Sequence, residues 1–360
     1  MTEKGAQGVV EDPRNWTRIL APYRETNVSR SLFELLVTAA PFVMFWALMW
    51  SSLAVGYWLC LLLAVPTAAF LMRLFMIQHD CGHGAFFRRP ATNDWVGRII
   101  GVATLTPYSF WLRAHAAHHA NAGNLDHRGM GDIITLTTDE YLALPLWSRA
   151  AYRLYRNPIV MFGLLPLYLF VLHYRVPVGL MRAGIQPWLS TMGTNAAIAG
   201  IAAAMISLIG VGPFLLVQGP VVLVSASIAV WFFYVQHQFE DTRWAHEEHW
   251  HFHEAALRGS SHYELPPVLA WFTGNIGVHH VHHLSSRIPF YRLPEVLRDH
   301  PQLAGVGRLT FLQSLRCATL ALWDAEWQRL ISFRELRVRC STSSSAPIRS
   351  LSAPLKNSVT

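Results

Sequence analysis

Four histidines fall within the five residues 279–283, in the stretch Gly274-Asn275-Ile276-Gly277-Val278-His279-His280-Val281-His282-His283. Imidazole nitrogen is a borderline donor that suits iron, copper, nickel and zinc. On a helix running over 275–283, His279, His282 and His283 stand at i, i+3 and i+4 and share one face. The same H-x-x-H-H spacing recurs in His115-Ala116-Ala117-His118-His119, and a shorter pair, His79 and His83, brackets Asp80-Cys81-Gly82. One such box is a weak signal, because polar loops also carry scattered histidines. Three in one chain point to a metal centre assembled from separate segments. Eight imidazoles exceed the four to six positions of a single metal, so two metals are implied. His237, in Gln236-His237-Gln238, is the candidate for a ninth donor. Donor type alone leaves iron, copper and zinc open, although catalytic zinc needs only about three protein ligands.

Other histidines fit the chemistry less well. His280 occupies the variable position of its box and reads as structural. His246, His249, His251 and His253 gather around Glu247, Glu248 and Trp250. They do not form an H-E-x-x-H zinc-protease motif, and a solvated face is the expectation. His127, His173, His262 and His300 read as ordinary polar or core residues.

The elements that must bring the boxes together are membrane helices. The chain has 360 residues, of which 52% are hydrophobic and only 14% charged, with mean hydropathy +0.26. A soluble domain carries about 25% charged residues. The 14 Trp, 11 Tyr and 19 Phe cluster near the ends of apolar runs, as interfacial belts require. Four widely separated cysteines, Cys60, Cys81, Cys317 and Cys340, give no disulfide framework and no zinc knuckle. The net charge of +7 comes from arginines spread among apolar segments, which suits membrane topology and anionic lipid, not nucleic acid.

Residues 1–31 read as a cytosolic arm, not a signal peptide. Leu32 to Ile77 is long enough for two spans of about 20 residues, placed near 33–52 and 56–77. Arg73, in the last turns of the second, is expected to snorkel to the interface. Trp95 to Leu112 is amphipathic. Ile159 to Leu172, short and interrupted by Pro166, suits an interfacial or re-entrant segment. Two more spans are expected near 194–217 and 219–236, joined around Gly212-Pro213 and Gly219-Pro220. The connectors near 51–56 and 208–220 hold no Lys or Arg, so by the positive-inside rule the arm, the histidine-rich segments and the C-terminal region are cytoplasmic. The fold class is therefore all-α: an integral membrane protein of four transmembrane helices in two hairpins, with a cytosolic histidine-rich helical cap. The functional domain is expected over 32–310, followed by a cytosolic tail over 311–360 whose Ser-rich end is disordered.

These boxes, HDCGH, HAAHH and HHVHH, resemble the three histidine boxes of the membrane fatty acid desaturases. The likeness runs from about residue 35 to 305. HDCGHG, the stretch Gly123-Asn124-Leu125-Asp126 through Asp132-Ile133, and Gly259-Ser260-Ser261 are similar to the bacterial acyl-lipid (Δ12, omega-6 and omega-3) branch. The resemblance implies a non-haem centre of two iron ions held by His79, His83, His115, His118, His119, His279, His282 and His283, with His237 as ninth ligand. It implies O2 as co-substrate, a long lipid-linked acyl chain as substrate, and a bacterial inner-membrane setting with the site on the cytoplasmic face. An Asn can complete such a site through water, and Asn275 stands four residues before His279.

Desaturation strips hydrogen from an unactivated methylene pair, which no side-chain acid or base can do, so the metal must supply that chemistry. The chain has no HPGG haem motif, no GxGxxG flavin fingerprint and no cysteine cluster. An external electron donor of the ferredoxin or cytochrome b5 type is implied. Such carriers are usually acidic, and Arg88, Arg89, Arg113 and Arg128 are candidates to steer one. Membrane hydroxylases, carotenoid ketolases and alkane monooxygenases share the box logic. A metal transporter is the non-enzymatic alternative, but it would place ligands near the bilayer midplane, whereas these boxes lie at helix ends.

Overall fold

The computed structural model describes residues 15–129 and 131–344. The first 14 residues, and the Ser-rich end of the tail beyond Ser344, lie outside the described residues. Four helices are long and apolar enough to cross a membrane: Val28–Ser52, Tyr57–Gly82, Ile185–Ile209 and Val211–His237. They pair as two hairpins. The first span is capped by Asn27, whose side chain accepts from the Arg30 amide at 3.0 Å, satisfying one orphan donor of the first turn. The second span is the central one. In its most apolar 18-residue window 61% of residues are buried, against 6% in the third span.

The second hairpin turns earlier than the Gly-Pro pairs suggest. The break is Gly210, at φ +86°, a conformation only glycine adopts without strain. Pro213 then falls in the first turn of the fourth span, where its missing N–H costs nothing. Pro220 lies inside that helix and leaves the Leu216 carbonyl without its usual donor. The Cys60 thiol of the second span approaches that carbonyl at 3.9 Å. The third span likewise begins at Ile185, with Pro187 in its first turns.

Arg73 does not snorkel. It is 1% exposed, ion-paired to Glu34 of the first span, bonded to Thr38 Oγ1 at 3.1 Å, and its guanidinium lies 3.8 Å from the Trp271 ring centroid. A charge kept in a low-dielectric interior needs such partners, and losing one of them is costly. The short helix Pro267–Phe272 that carries Trp271 packs on the second span.

Two helices, Pro90–Ala103 and Tyr108–Asn121, follow the first hairpin. The amphipathic stretch is split between them at Leu105, which takes φ +56°. Leu146–Tyr155 and the segment Val160–Arg175 meet at a 57° bend at Asn157-Pro158, because the residue before proline avoids helical backbone. Phe162 of this segment packs edge-on to Trp231 and Tyr234 of the fourth span at 4.9 and 5.1 Å. His118 and His237 touch, so if the third and fourth helices both cross, the chain between them already makes an even number of crossings without this segment.

Two small sheets join the helices. Leu136–Thr137 runs parallel to Leu320–Asp324, which pairs antiparallel with Arg329–Ser332; His262–Glu264 runs parallel to Arg308–Thr310. Residues 311–344 are thus built into the molecule. Trp323 is 1% exposed, and the Leu320 carbonyl accepts from Tyr234 Oη at 2.6 Å and from Arg156 at 2.8 Å. These bonds fix the end of the fourth span, one turn before His237.

Candidate metal centre

Each histidine is delivered by a helix end. His79 lies in the last turn of the second span and His83 caps it. His115, His118 and His119 occupy the last two turns of Tyr108–Asn121, and His237 ends the fourth span. The third box forms the short helix His279–Leu284. This helix does not begin at 275: Gly274 and Asn275 have φ +57° and +52° and cannot enter it. Glycine is required here. A Cβ on Gly277 would lie 2.3 Å from the Tyr263 carbonyl oxygen, and one on Gly274 would lie 3.0 Å from Met76 Cβ of the second span.

The nine histidines converge as two groups. His79, His83, His115, His119 and His282 form one, and His118, His237, His279 and His283 the other; within each, one ring nitrogen per residue lies within 4.8 Å of all the rest. In the first, the Nε2 atoms of His83 and His115, His115 and His119, and His119 and His282 are 3.0, 3.1 and 3.2 Å apart. In the second, His118–His237, His237–His279 and His279–His283 are 3.1, 3.0 and 3.1 Å apart. A neutral imidazole carries one N–H, so three or more Nε2 atoms facing one point cannot all be satisfied by each other. Metal–imidazole bonds of about 2.1 Å at right angles put neighbouring donors about 3 Å apart, which fits a cation inside each group. The groups adjoin through His119 and His283, whose rings stack at 4.1 Å with planes 17° apart.

Electrostatics suit ligation. Burial, followed by the neighbouring imidazoles, holds His83, His115, His119, His279, His282 and His283 well below the usual histidine range. A metal needs the neutral ring. The far nitrogens are held too. His118 Nδ1–H donates to Asp132, His237 Nδ1–H to the Gly259 carbonyl at 3.0 Å, and His79 Nδ1–H to Asp80 at 3.3 Å. The other Asp80 oxygen accepts from the Phe290 amide at 2.7 Å. Such partners set the tautomer and aim the donor nitrogen. Asp132 and Gly259 carry no signal of this role in the sequence, since spacing along the chain does not report them; Asp80 is visible only as a neighbour of His79. Trp111 stacks on His115 at 4.6 Å and closes one side.

The remaining candidates stand elsewhere. His280 is buried, bonded to the Leu303 carbonyl at 3.0 Å, with its pKa pushed down to about 3 by burial and then by His262. His246 pairs with Asp126 at 2.9 Å, His253 with Thr17 at 3.1 Å, and His249 with Glu248 at 3.5 Å, all outside both groups. Asn275 turns its amide toward the Phe290 carbonyl at 3.4 Å, because the left-handed backbone takes it off the face of His279.

A helical membrane protein with two histidine groups that could hold metal ions, gathered beside the ends of its second and fourth spans, is the class that fold and site define. A profile of the fatty acid desaturase family matches residues 52–314. The chain is 43% identical over 337 residues to a fatty acid desaturase of Bacillus subtilis, covering 94% of each. It is 28% identical to an sn-1 oleoyl-lipid 12-desaturase of Arthrospira platensis, over 68% of this chain and 69% of the relative. It is 27% identical to an sn-1 acyl-lipid omega-3 desaturase (ferredoxin) of Synechocystis, over 61% of each. The chain belongs to the fatty acid desaturase family, whose members are oxidoreductases acting on acyl chains.

Proposed function

We propose that this protein is a di-iron acyl-lipid desaturase of the bacterial inner membrane. It introduces a cis double bond of Δ12 (omega-6) type into a lipid-linked acyl chain, with its site on the cytoplasmic face. The observation that carries the reading is the pair of imidazole groups at the ends of an apolar four-span core. His79, His83, His115, His119 and His282 would hold one ion, and His118, His237, His279 and His283 the other. Nitrogen-only donor sets without thiolate, in a family that oxidises acyl chains, favour iron. Bound there, iron supplies the O2 chemistry that breaks an unactivated methylene C–H bond.

The rest falls to the chain's own residues. Asp132, Asp80 and the Gly259 carbonyl keep the Nδ1 protons of His118, His79 and His237 in place, so that each Nε2 lone pair faces inward. Burial keeps the rings of His83, His115, His119, His279, His282 and His283 neutral. Overall, O2, the two-hydrogen unit of the acyl chain, two electrons and two protons give the alkene and two waters. The electrons come from a carrier of the ferredoxin or cytochrome b5 type; the Synechocystis relative is described as ferredoxin-linked. The oleoyl-lipid regiochemistry described for the Arthrospira relative supports the Δ12 placement, and the absence of Lys and Arg from the short connectors supports the orientation.

The test is expression in a bacterium that makes monounsaturated lipid, supplied with ferredoxin and its reductase. Mass spectrometry of its fatty acids is expected to show a new O2-dependent double bond twelve carbons from the carboxyl, with about two irons per purified chain. Zinc with unchanged lipids, or a hydroxylated product, would overturn the reading.

A further inference from the structure

Where the electrons enter is decided by charge and by access. An open cleft reaches the two histidine groups, lined by Arg24, His119, Phe252, His283, Ser285 and Arg287 among others. Its two imidazoles are the stacked pair, one from each group. An electron delivered at this point meets both groups through one ring contact.

The rim is cationic among the described residues. Arg287 is exposed and takes part in no ion pair or hydrogen bond among the described residues. Arg24 donates to Ser285 Oγ at 2.9 Å and to the Thr17 carbonyl at 3.4 Å, neither of them an acid. Among the described residues, no carboxylate lines the cleft. The arginines that the sequence offers for steering are spent or set elsewhere. Arg128 is paired with Glu140, Arg88 lies 3.7 Å from Glu25, and Arg113 donates to the Ala183 carbonyl. Arg89 does not line this cleft. Phe252, 38% exposed, lines the same cleft. An aromatic contact inside a charged rim is the make-up of a compact protein interface.

We propose that this cleft is the docking surface for the electron donor: a small one-electron carrier protein whose cofactor edge is ringed by carboxylates, seated on Arg24, Arg287 and Phe252 above His119 and His283. It rests on the desaturase reading and names the partner's place. Each encounter oxidises the carrier by one electron and reduces the metal centre by one, so two encounters supply a turnover. Repeated exchange calls for fast, weak, charge-steered association, and rim charges act mainly on that step.

The test uses the metal-loaded protein in nanodiscs and a plant-type [2Fe–2S] ferredoxin as probe. Binding is read by surface plasmon resonance at low and high salt. Reduction of the metal centre is followed anaerobically, with ferredoxin or with methyl viologen, a small cation that needs no docking. Arg287→Glu is the first variant. Arg24→Gln is the second, since Arg24 also holds Ser285, two residues from His283. The expected result is at least tenfold weaker ferredoxin binding and slower ferredoxin-driven reduction at low salt. Metal content and the viologen rate should stay unchanged, and the wild-type advantage should fade at high salt. Unchanged ferredoxin binding and rate overturn the proposal. So does an equal loss with both donors, which would place the arginines in the metal site. A raised KM for lipid substrate with ferredoxin binding intact would assign the cations to a substrate headgroup instead. None of the binding or reduction readouts needs a double bond to form, so failure of the acyl reading shows separately.

Discussion

Asp132 offers the sharpest test of how the two groups are held. Its carboxylate accepts the Nδ1 proton of His118, which is 1% exposed and whose Nε2 stands 3.1 Å from that of His237. Replacing Asp132 with Ala leaves a buried N–H without an acceptor and frees the ring to rotate or change tautomer. A buried hydrogen bond to a charged acceptor is worth about 1.5–3 kcal/mol. Removing the partner of a ligating histidine lowers metal affinity by about 10–100-fold, or about 1.4–2.7 kcal/mol at 1.36 kcal/mol per tenfold; the two routes agree. The loss should fall on the four-histidine group alone, because His118 belongs only there. Titration with a chelator, followed by metal analysis, should therefore release one metal per chain from Asp132→Ala at about a tenth to a hundredth of the chelator needed for wild type, while the other stays. Asp132→Asn retains a carbonyl acceptor and should recover most of the affinity. Asp126→Ala, which breaks surface contacts to His246 and to the Glu247 amide and touches neither histidine group, serves as the control and should leave both metals in place. Equal chelator resistance in wild type and Asp132→Ala would refute the orienting role. Simultaneous loss of both metals would refute the division into two groups.

Three further outcomes are expected. His237→Ala should abolish activity and lower bound metal, whereas His253→Ala, whose contacts are to Thr17 and the Phe252 ring, should keep its full complement; metal analysis of the two variants settles both. Gly277→Ala must push a methyl into the Tyr263 carbonyl, an overpacking that costs about 1–3 kcal/mol; reduced thermal stability and metal content should appear together, and normal values for both would show that the backbone yields freely. In metal-free protein, buried His83, His115, His119, His279, His280, His282 and His283 have folded-state pKa values below the ordinary one. The unfolded chain then binds more protons than the folded one below a pH of about 6.5, so stability is intact above that value and falls as the pH drops. Melting curves in detergent between pH 8 and 5 should show this decline, and a Tm flat down to pH 5 would contradict it.

Hydropathy and spacing made the four-span architecture and the nine histidines legible, because each is a local property. A span needs about 20 apolar residues, and a box needs donors at i, i+3 and i+4. The helix ends were less legible. Gly210 and not Gly219-Pro220 makes the turn, because a proline inside a helix can be tolerated when the carbonyl it orphans has a neighbour such as Cys60. Arg73 looked like an interfacial residue until Glu34 and Trp271, distant in sequence, closed around it. Asn275 looked like a continuation of the third box, but its positive φ removes it from that face.

What the sequence by itself determined, then, is the inventory: which histidines form the boxes, and that long apolar stretches separate them. Only the tertiary structure decided their partition. His115, His118 and His119 share one short helix, yet His118 joins one group and its neighbours the other, because consecutive positions on a helix point about 100° apart and different spans approach on each side. The same holds for His282 and His283, consecutive residues that join different groups. Asp132, Asp80 and the Gly259 carbonyl acquire their roles by proximity in space, a relation that spacing along the chain cannot encode.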